Sequence, residues 1–207
     1  MTIWFASGNV HKRGELAAIL GGHRIRIPAD EGLAFDPEET GATFMENALI
    51  KARALYRLVA DKYPADTGMR GPVIADDSGL CVDALDGRPG IYSARYGSEG
   101  GKKLNAAERN ALLLKELGDA PDRKARFVCA MVLLFSGDRF FAVQETLEGE
   151  IIQHAEDARG SGGFGYDPIL WLPEPGCTVA ELSGEEKNRR SHRGKAGRQI
   201  AKILADN

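Results

Sequence analysis

No C-x-x-C pair occurs in this chain, and its three cysteines, Cys81, Cys129 and Cys177, are scattered and odd in number. That pattern argues against a disulfide scaffold or a cysteine zinc site and points to a reducing cytoplasm. No stretch approaches the ~18 apolar residues that a membrane span requires. The N-terminus also lacks a basic segment leading into a long apolar run, so a soluble, cytoplasmic protein is expected, with no membrane partner. Excess positive charge is missing too: a net charge of -3 over 207 residues argues against nucleic acid as the main partner. The phosphate-loop pattern G-x-x-x-x-G-K-[ST] does not occur, nor do internal repeats, low-complexity tracts or an obvious linker. What remains, 43% hydrophobic and 28% charged residues, is the make-up of an ordinary globular chain long enough for one domain, residues 1–207, with two lobes.

The order of apolar patterns is that of an α/β protein with a mixed sheet. Thr2 to Ala6 reads as a strand and stops at Ser7-Gly8-Asn9. A helix is expected from His11 to Leu20, and a short strand from Arg24 to Ile27. Thr43-x-x-Glu46 is a capping box opening a long amphipathic helix that Pro64 ends. Val73 to Val82 is strand-like, with the core strand expected to end at Asp76 and Asp77. The glycine-punctuated stretch from Asp86 to Gly101 follows, then a helix from Ala106 to Leu117 opened by Asn105-x-x-Glu108. Phe127–Phe135 and Arg139–Thr146 flank Ser136-Gly137-Asp138 as a hairpin, and Glu150-Ile151-Ile152 reads as a separate short strand. Ile169 to Leu172 is a strand, and Ser191 to Ala205 an amphipathic terminal helix.

Four stretches have residues suited to chemistry. Ser7-Gly8-Asn9-Val10-His11-Lys12 joins a strand to a helix start, where unpaired N–H groups and the positive dipole end can hold a phosphate. The plainer reading is an Asn9 N-cap with a solvated Lys12. Gly160 to Gly165 matches G-x-G-x-x-G, but Tyr166-Asp167-Pro168 follows, and proline disfavours the helix that a dinucleotide fingerprint needs. It is therefore a loop in which Phe164 or Tyr166 stacks on a flat base, or a tight turn with its aromatics packed inward. The charged run Glu185 to Arg193 contains a capping box, Ser183-x-x-Glu186, which explains its acids. The cations Lys187, His192 and Arg193 suit a small anionic ligand.

The fourth is Asp76-Asp77. Asp-Ser-Gly is good turn chemistry, yet a turn needs one aspartate, and a neighbouring pair repels unless a cation intervenes. A hard dication such as Mg²⁺ offsets the repulsion and bridges to phosphate oxygens. On an extended chain adjacent side chains point to opposite faces, so one of the two faces the metal. Glu38 and Glu39 are candidates for a further carboxylate.

Together "SGNVHK", "EETGATFMENALIKA", "IADDSGLCVDALDGRPGIYSARY", "GSGGFGYDPI" and "AELSGEEKNRRSHRGKA" resemble the inosine triphosphate pyrophosphatase family, the dITP/XTP pyrophosphatases that clear non-standard purine nucleotides. The resemblance runs from Ala6 to Ala196. It implies an elongated mixed sheet flanked by helices, two lobes with a central nucleotide cleft, and a homodimer. It also implies Mg²⁺-dependent hydrolysis of ITP, dITP and XTP to the monophosphate and pyrophosphate. Carried over by position, Ser7 to Lys12 bind phosphate, and Asp77 is both metal ligand and proton acceptor, with Ser78 touching substrate. Glu38 stands at the E-x-x-G glutamate that binds metal, with Glu39 as its substitute. Phe164, Gly165, Tyr166 and Asp167 hold base and sugar, Lys187, His192 and Arg193 contact the base edge or phosphates, and Lys51 and Asp76 are second members of the phosphate and metal groups. The stretch 62–71 looks like an insertion of unassigned role. The competing reading of another class is a non-catalytic nucleotide sensor.

Overall fold

Parallel strands covered on both faces need apolar side chains on both, and the first strands have them. β1 (Thr2–Phe5) pairs in parallel with β2 (Arg24–Arg26), Ile3 opposite Ile25, and with β3 (Val73–Val82), Trp4 opposite Val73. β4 (Lys124–Leu134), β5 (Phe140–Ile151), β6 (Leu170–Leu172) and β7 (Cys177–Thr178) complete a seven-stranded sheet in the order β2-β1-β3-β4-β5-β6-β7. β5, β6 and β7 pair antiparallel, so the sheet is mixed, as expected. This computed structural model describes residues 1–98 and 103–207; the end of the glycine-punctuated stretch, residues 99–101, lies outside them. The chain divides into two compact units, with boundaries inside β3, β4 and β5.

The first unit comprises Met1–Asp77, Cys129–Glu145 and His192–Asn207. Strand alternation sorts its core into two layers. Ile3, Phe5 and Ile74 join Leu16 of α1 (Val10–Ile19), Leu20 at its C-cap and Ile200 of α5 (His192–Ala205). Trp4, Ala6, Val73 and Ala75 join Ala48, Ala52 and Leu55 of α2 (Phe44–Lys62). The predicted capping box opens α2: Thr43 Oγ1 accepts from the Glu46 N–H, and Glu46 Oε2 accepts from the Thr43 N–H. The stretch 62–71 has a structural part here. Arg70 donates to the carbonyls of Ala60 and Tyr63 at the end of α2, and the Met69 carbonyl accepts from Trp4 Nε1.

The second unit comprises Ser78–Val128 and Thr146–Ser191. Its core gathers Leu80, Val82, Leu113, Phe127, Ile151, Tyr166, Ile169 and Leu170, under α3 (Ala106–Leu117). α4 (Gly184–Arg190) starts at the predicted Ser183–Glu186 box. Two expectations are corrected. The strand does not end at the aspartates but runs unbroken through Asp76-Asp77-Ser78-Gly79, and the supposed separate strand at 150–152 is the end of β5.

Candidate active site

The turn 7–12 is tied by its own side chains. Ser7 Oγ accepts from the Asn9 N–H at 3.1 Å, and Asn9 Oδ1 accepts from the N–H groups of His11 (2.9 Å) and Lys12 (3.3 Å). Asn9 is thus the N-cap of α1. Gly8, Val10 and His11 are exposed. Lys12 is not the solvated lysine of the plainer reading: its Nζ lies 3.1 Å from Asp76 Oδ2 and 3.2 Å from Oδ1.

Because β3 continues straight, its alternation decides where each aspartate goes. Asp76 follows Ile74 onto the face of α1 and α5, and it is buried. Its Oδ2 accepts from Arg193 Nε at 3.0 Å and Nη2 at 2.9 Å, and Arg193 Nη1 reaches Glu15 Oε2 at 2.7 Å. Burial alone would raise the Asp76 carboxyl, but Lys12, Arg193 and Lys51 outweigh it and hold it far below the usual carboxylate range. Arg193 stays charged, because Asp76 and Glu15 overcome its desolvation. Burial, reinforced by Arg193 and Lys51, pulls Lys12 below its ordinary value despite Asp76. The Cys129 thiol, 3.9 Å from Asp76 Oδ2, is pushed up to about 12 by burial and by that carboxylate, so it is a neutral donor.

Asp77 follows Ala75 onto the α2 face. Its Oδ1 accepts from Lys51 Nζ at 2.9 Å, and its Oδ2 faces Asn47 Nδ2 at 3.4 Å. Lys51 Nζ also lies 2.8 Å from Glu39 Oε1. Asn47, wholly buried, accepts the Gly41 N–H on Oδ1 at 2.8 Å, which ties the stretch 36–41 to the Asp77 side chain. A Cβ on Gly41 would meet Asn47 Oδ1 at 2.7 Å, so glycine is required there. Burial raises the Asp77 carboxyl above its ordinary value, with Lys51 opposing. For Lys51 burial is outweighed by Asp77, Asp76 and Glu39, and its ammonium is held above its ordinary value. Glu39 is half-buried against Lys51, whereas Glu38 is exposed.

In the second unit, Asp167 locks the glycine loop. Its Oδ2 accepts from the Phe164 N–H at 2.7 Å and from Lys187 Nζ at 2.9 Å, and that ammonium lies 4.8 Å from the Phe164 ring centroid. The Rossmann reading is excluded as expected, since a single 3-10 turn, Asp167–Ile169, follows the glycines. Tyr166 is buried, and its hydroxyl donates to the Ser93 carbonyl at 2.9 Å. Of the two aromatics considered for base stacking, therefore, Tyr166 is core and Phe164 keeps a partly open ring; Gly165 and Ser78 are also half-buried.

The fold thus joins Lys12, Asp76 and Arg193 in one ion cluster, and Lys51, Asp77 and Glu39 in another, both in the first unit. His192 opens α5 beside Arg193 and is buried. Arg193, expected at the base edge or phosphates, is 1% exposed and holds Asp76 and Glu15 with its guanidinium. Asn47, Glu15 and Cys129 were missed. The signal for Asn47 was available: with Lys51, four residues on, it is a polar residue on the apolar face of α2.

The donor set suits a hard dication. Asp77 and the Glu38–Glu39 pair offer carboxylate oxygens, and no group of three metal-ligating side chains occurs among the described residues. Mg²⁺ characteristically uses one or two carboxylates and takes its other ligands from water and substrate phosphate. No helix among the described residues is long and apolar enough to cross a membrane.

The chain is 52% identical over 204 residues to a dITP/XTP pyrophosphatase of Treponema denticola, covering 99% of this chain and 98% of that one. It is 46% identical to the dITP/XTP pyrophosphatase of Geobacillus kaustophilus, over 94% of this chain and 89% of the other. Among solved structures, a HAM1 protein from Coxiella burnetii superposes with a TM-score of 0.83 at 36% identity, covering 100% of both chains. The nucleoside-triphosphatase / dITP/XTP pyrophosphatase from Mycobacterium abscessus gives 0.70 at 38% identity, covering 99% of each chain. The family model described as the Ham1 family matches residues 3–203, and with relatives this similar over nearly their whole length the chain belongs to the Ham1 family.

Proposed function

We propose that this protein hydrolyses the non-standard purine nucleoside triphosphates ITP, dITP and XTP to the monophosphate and pyrophosphate, with Mg²⁺. The observation that carries the reading is Asp77, a buried carboxylate held by Lys51 and Asn47 and raised in pKa by its burial. A sensor that only binds nucleotide needs no such base, which favours an enzyme over the sensor reading. Asp77, with a glutamate of the Glu38–Glu39 pair, holds the metal, which when bound neutralises phosphate charge and acidifies water. Asp77 accepts the proton of the attacking water. The turn 7–12 takes phosphate oxygens, and Lys12 steadies the charge growing on the departing pyrophosphate.

Base choice follows hydrogen-bond polarity. Hypoxanthine and xanthine present an oxygen acceptor at position 6, where adenine presents an amino donor. Lys187, standing over the Phe164 ring, rewards the oxygen, while Asp167 keeps both in place. Sites that reward a matched polar group can discriminate by about 10⁴. The enzyme is further proposed to act in the cytoplasm as a homodimer, which light scattering tests.

A panel of nucleoside triphosphates with Mg²⁺ decides the matter. Pyrophosphate from ITP, dITP and XTP, with little from ATP, is expected; orthophosphate as the product overturns the proposed cleavage. Asp77→Asn is expected to abolish turnover in a folded protein, and wild-type turnover by that variant removes Asp77 from the mechanism.

A further inference from the structure

One ammonium neutralises two carboxylates that come from different segments. Lys51 Nζ lies 2.9 Å from Asp77 Oδ1 and 2.8 Å from Glu39 Oε1, with Lys51 8% and Asp77 7% exposed. A hard dication seeks the same oxygens. Sharing them sets the two cations against each other, because like charges repel most strongly where water is excluded.

We infer that Lys51 is the resident counter-ion of the Asp77–Glu39 pair, and that it makes a metal–triphosphate chelate, not the bare dication, the species this site takes up. A bare dication must displace the ammonium from both carboxylates while offering it no acceptor in return. A chelate supplies both needs: its metal replaces the ammonium on the carboxylates, and its phosphate oxygens accept the ammonium's hydrogen bonds. The surroundings permit the exchange. Asn47 holds the other oxygen of Asp77 at 3.4 Å and the Gly41 N–H at 2.8 Å, so the aspartate and the stretch 36–41 have an anchor independent of Lys51. The lysine stem has four rotatable carbons, so its head can move without the backbone. The inference rests on the reading of Asp77 as a metal ligand, with Glu39 as the glutamate of the Glu38–Glu39 pair that joins it.

Mn²⁺ binding, read by electron paramagnetic resonance of the unbound ion, tests it on the nucleotide-free protein. Wild type is expected to bind Mn²⁺ weakly and to retain more once an α,β-methylene analogue of inosine triphosphate is added. Lys51→Met and Lys51→Gln are each expected to bind Mn²⁺ without nucleotide at least about tenfold more tightly. Lys51→Arg, which keeps the charge, is expected to match wild type, and Asp77→Asn in the Lys51→Met background is expected to remove the gain. Two neutral variants, each checked by circular dichroism, guard against one that does not fold. Wild-type Mn²⁺ affinity in both, with Asp77→Asn still weakening it, overturns the counter-ion role and leaves the metal reading standing. Should Asp77→Asn alter Mn²⁺ binding in no background, the metal reading falls and takes this inference with it.

Discussion

Asp76 and Arg193 are 117 positions apart, yet Arg193 places Nε and Nη2 on the same carboxylate oxygen, at 3.0 and 2.9 Å. Both are almost fully buried, at 1% exposure each. The pair links β3 to α5, and through Lys12 and Glu15 it also holds α1. Three elements therefore meet on one buried carboxylate, next in sequence to the aspartate proposed for catalysis.

Removing one partner of such a pair leaves the other as an uncompensated buried charge. Arg193→Ala is therefore expected to lower stability by about 3–5 kcal/mol. Arg193→Lys should restore only part of the loss, because one ammonium cannot reproduce the planar fork on Asp76 together with the contact to Glu15. Urea unfolding measures both; a variant within about 0.5 kcal/mol of wild type contradicts the role.

How much of this could be read beforehand depends on whether the signal was local. Capping boxes at Thr43, Asn105 and Ser183 are complete within four residues, and all three formed. The opposite facing of Asp76 and Asp77 follows from strand period alone. Their partners do not, since Lys12 and Arg193 reach Asp76 only through the tertiary fold. The strand was expected to stop at the aspartates because isolated charges are costly in a core; with Lys12, Arg193, Lys51 and Asn47 as partners, β3 runs on. Gly149 lies inside β5, where a Cβ would sit 2.5 Å from the Trp171 carbonyl, so the glycine serves close strand approach. The choice between Glu38 and Glu39 also lay beyond local pattern, as the two are adjacent acids between a 3-10 turn and α2, outside any strand or helix.

Gly163 tests the glycine loop separately from global stability. It has φ +74°, and a Cβ would stand 2.0 Å from Asp167 Oδ2 and 3.0 Å from Lys187 Nζ. Gly163→Ala is expected to dislodge Phe164 and Lys187 and lower kcat/KM for ITP by about 10²-fold, the scale of an ångström-sized misplacement. The melting temperature should fall far less than for Arg193→Ala. Unchanged kcat/KM would remove the loop from substrate binding.

Thiol chemistry reports on the buried cluster without mutation. Cys81 and Cys177 are half-buried, whereas Cys129 is fully buried with its thiol pushed up to about 12. At pH 8 an aromatic disulfide reagent is expected to modify at most two of the three thiols in the native protein. The third should react only on unfolding, at a rate that urea accelerates. Labelling of Cys129 in the folded protein, located by peptide mass, contradicts its placement against Asp76.

Alkali addresses the second unit. Tyr96 donates its hydroxyl to Glu116 Oε2 at 2.5 Å, and Arg88 Nη1 reaches the same oxygen at 2.8 Å. Burial and the negative charge of Glu116 push the phenol up to about 12, with Arg88 opposing. A phenol whose pKa is raised in the fold favours the folded state while protonated. Its contribution is therefore whole below pH ~10, the unfolded value, and is lost as pH rises from there toward about 12. Tyr96→Phe is expected to be less stable than wild type by about 1 kcal/mol at pH 8, with the partial exposure of Glu116 keeping the figure small. By pH 11 that difference should have narrowed, because wild type is losing an interaction the variant never had. Urea unfolding of both proteins at the two pH values measures it, and a gap that stays constant across the window would show that the phenol–carboxylate contact does not contribute to stability.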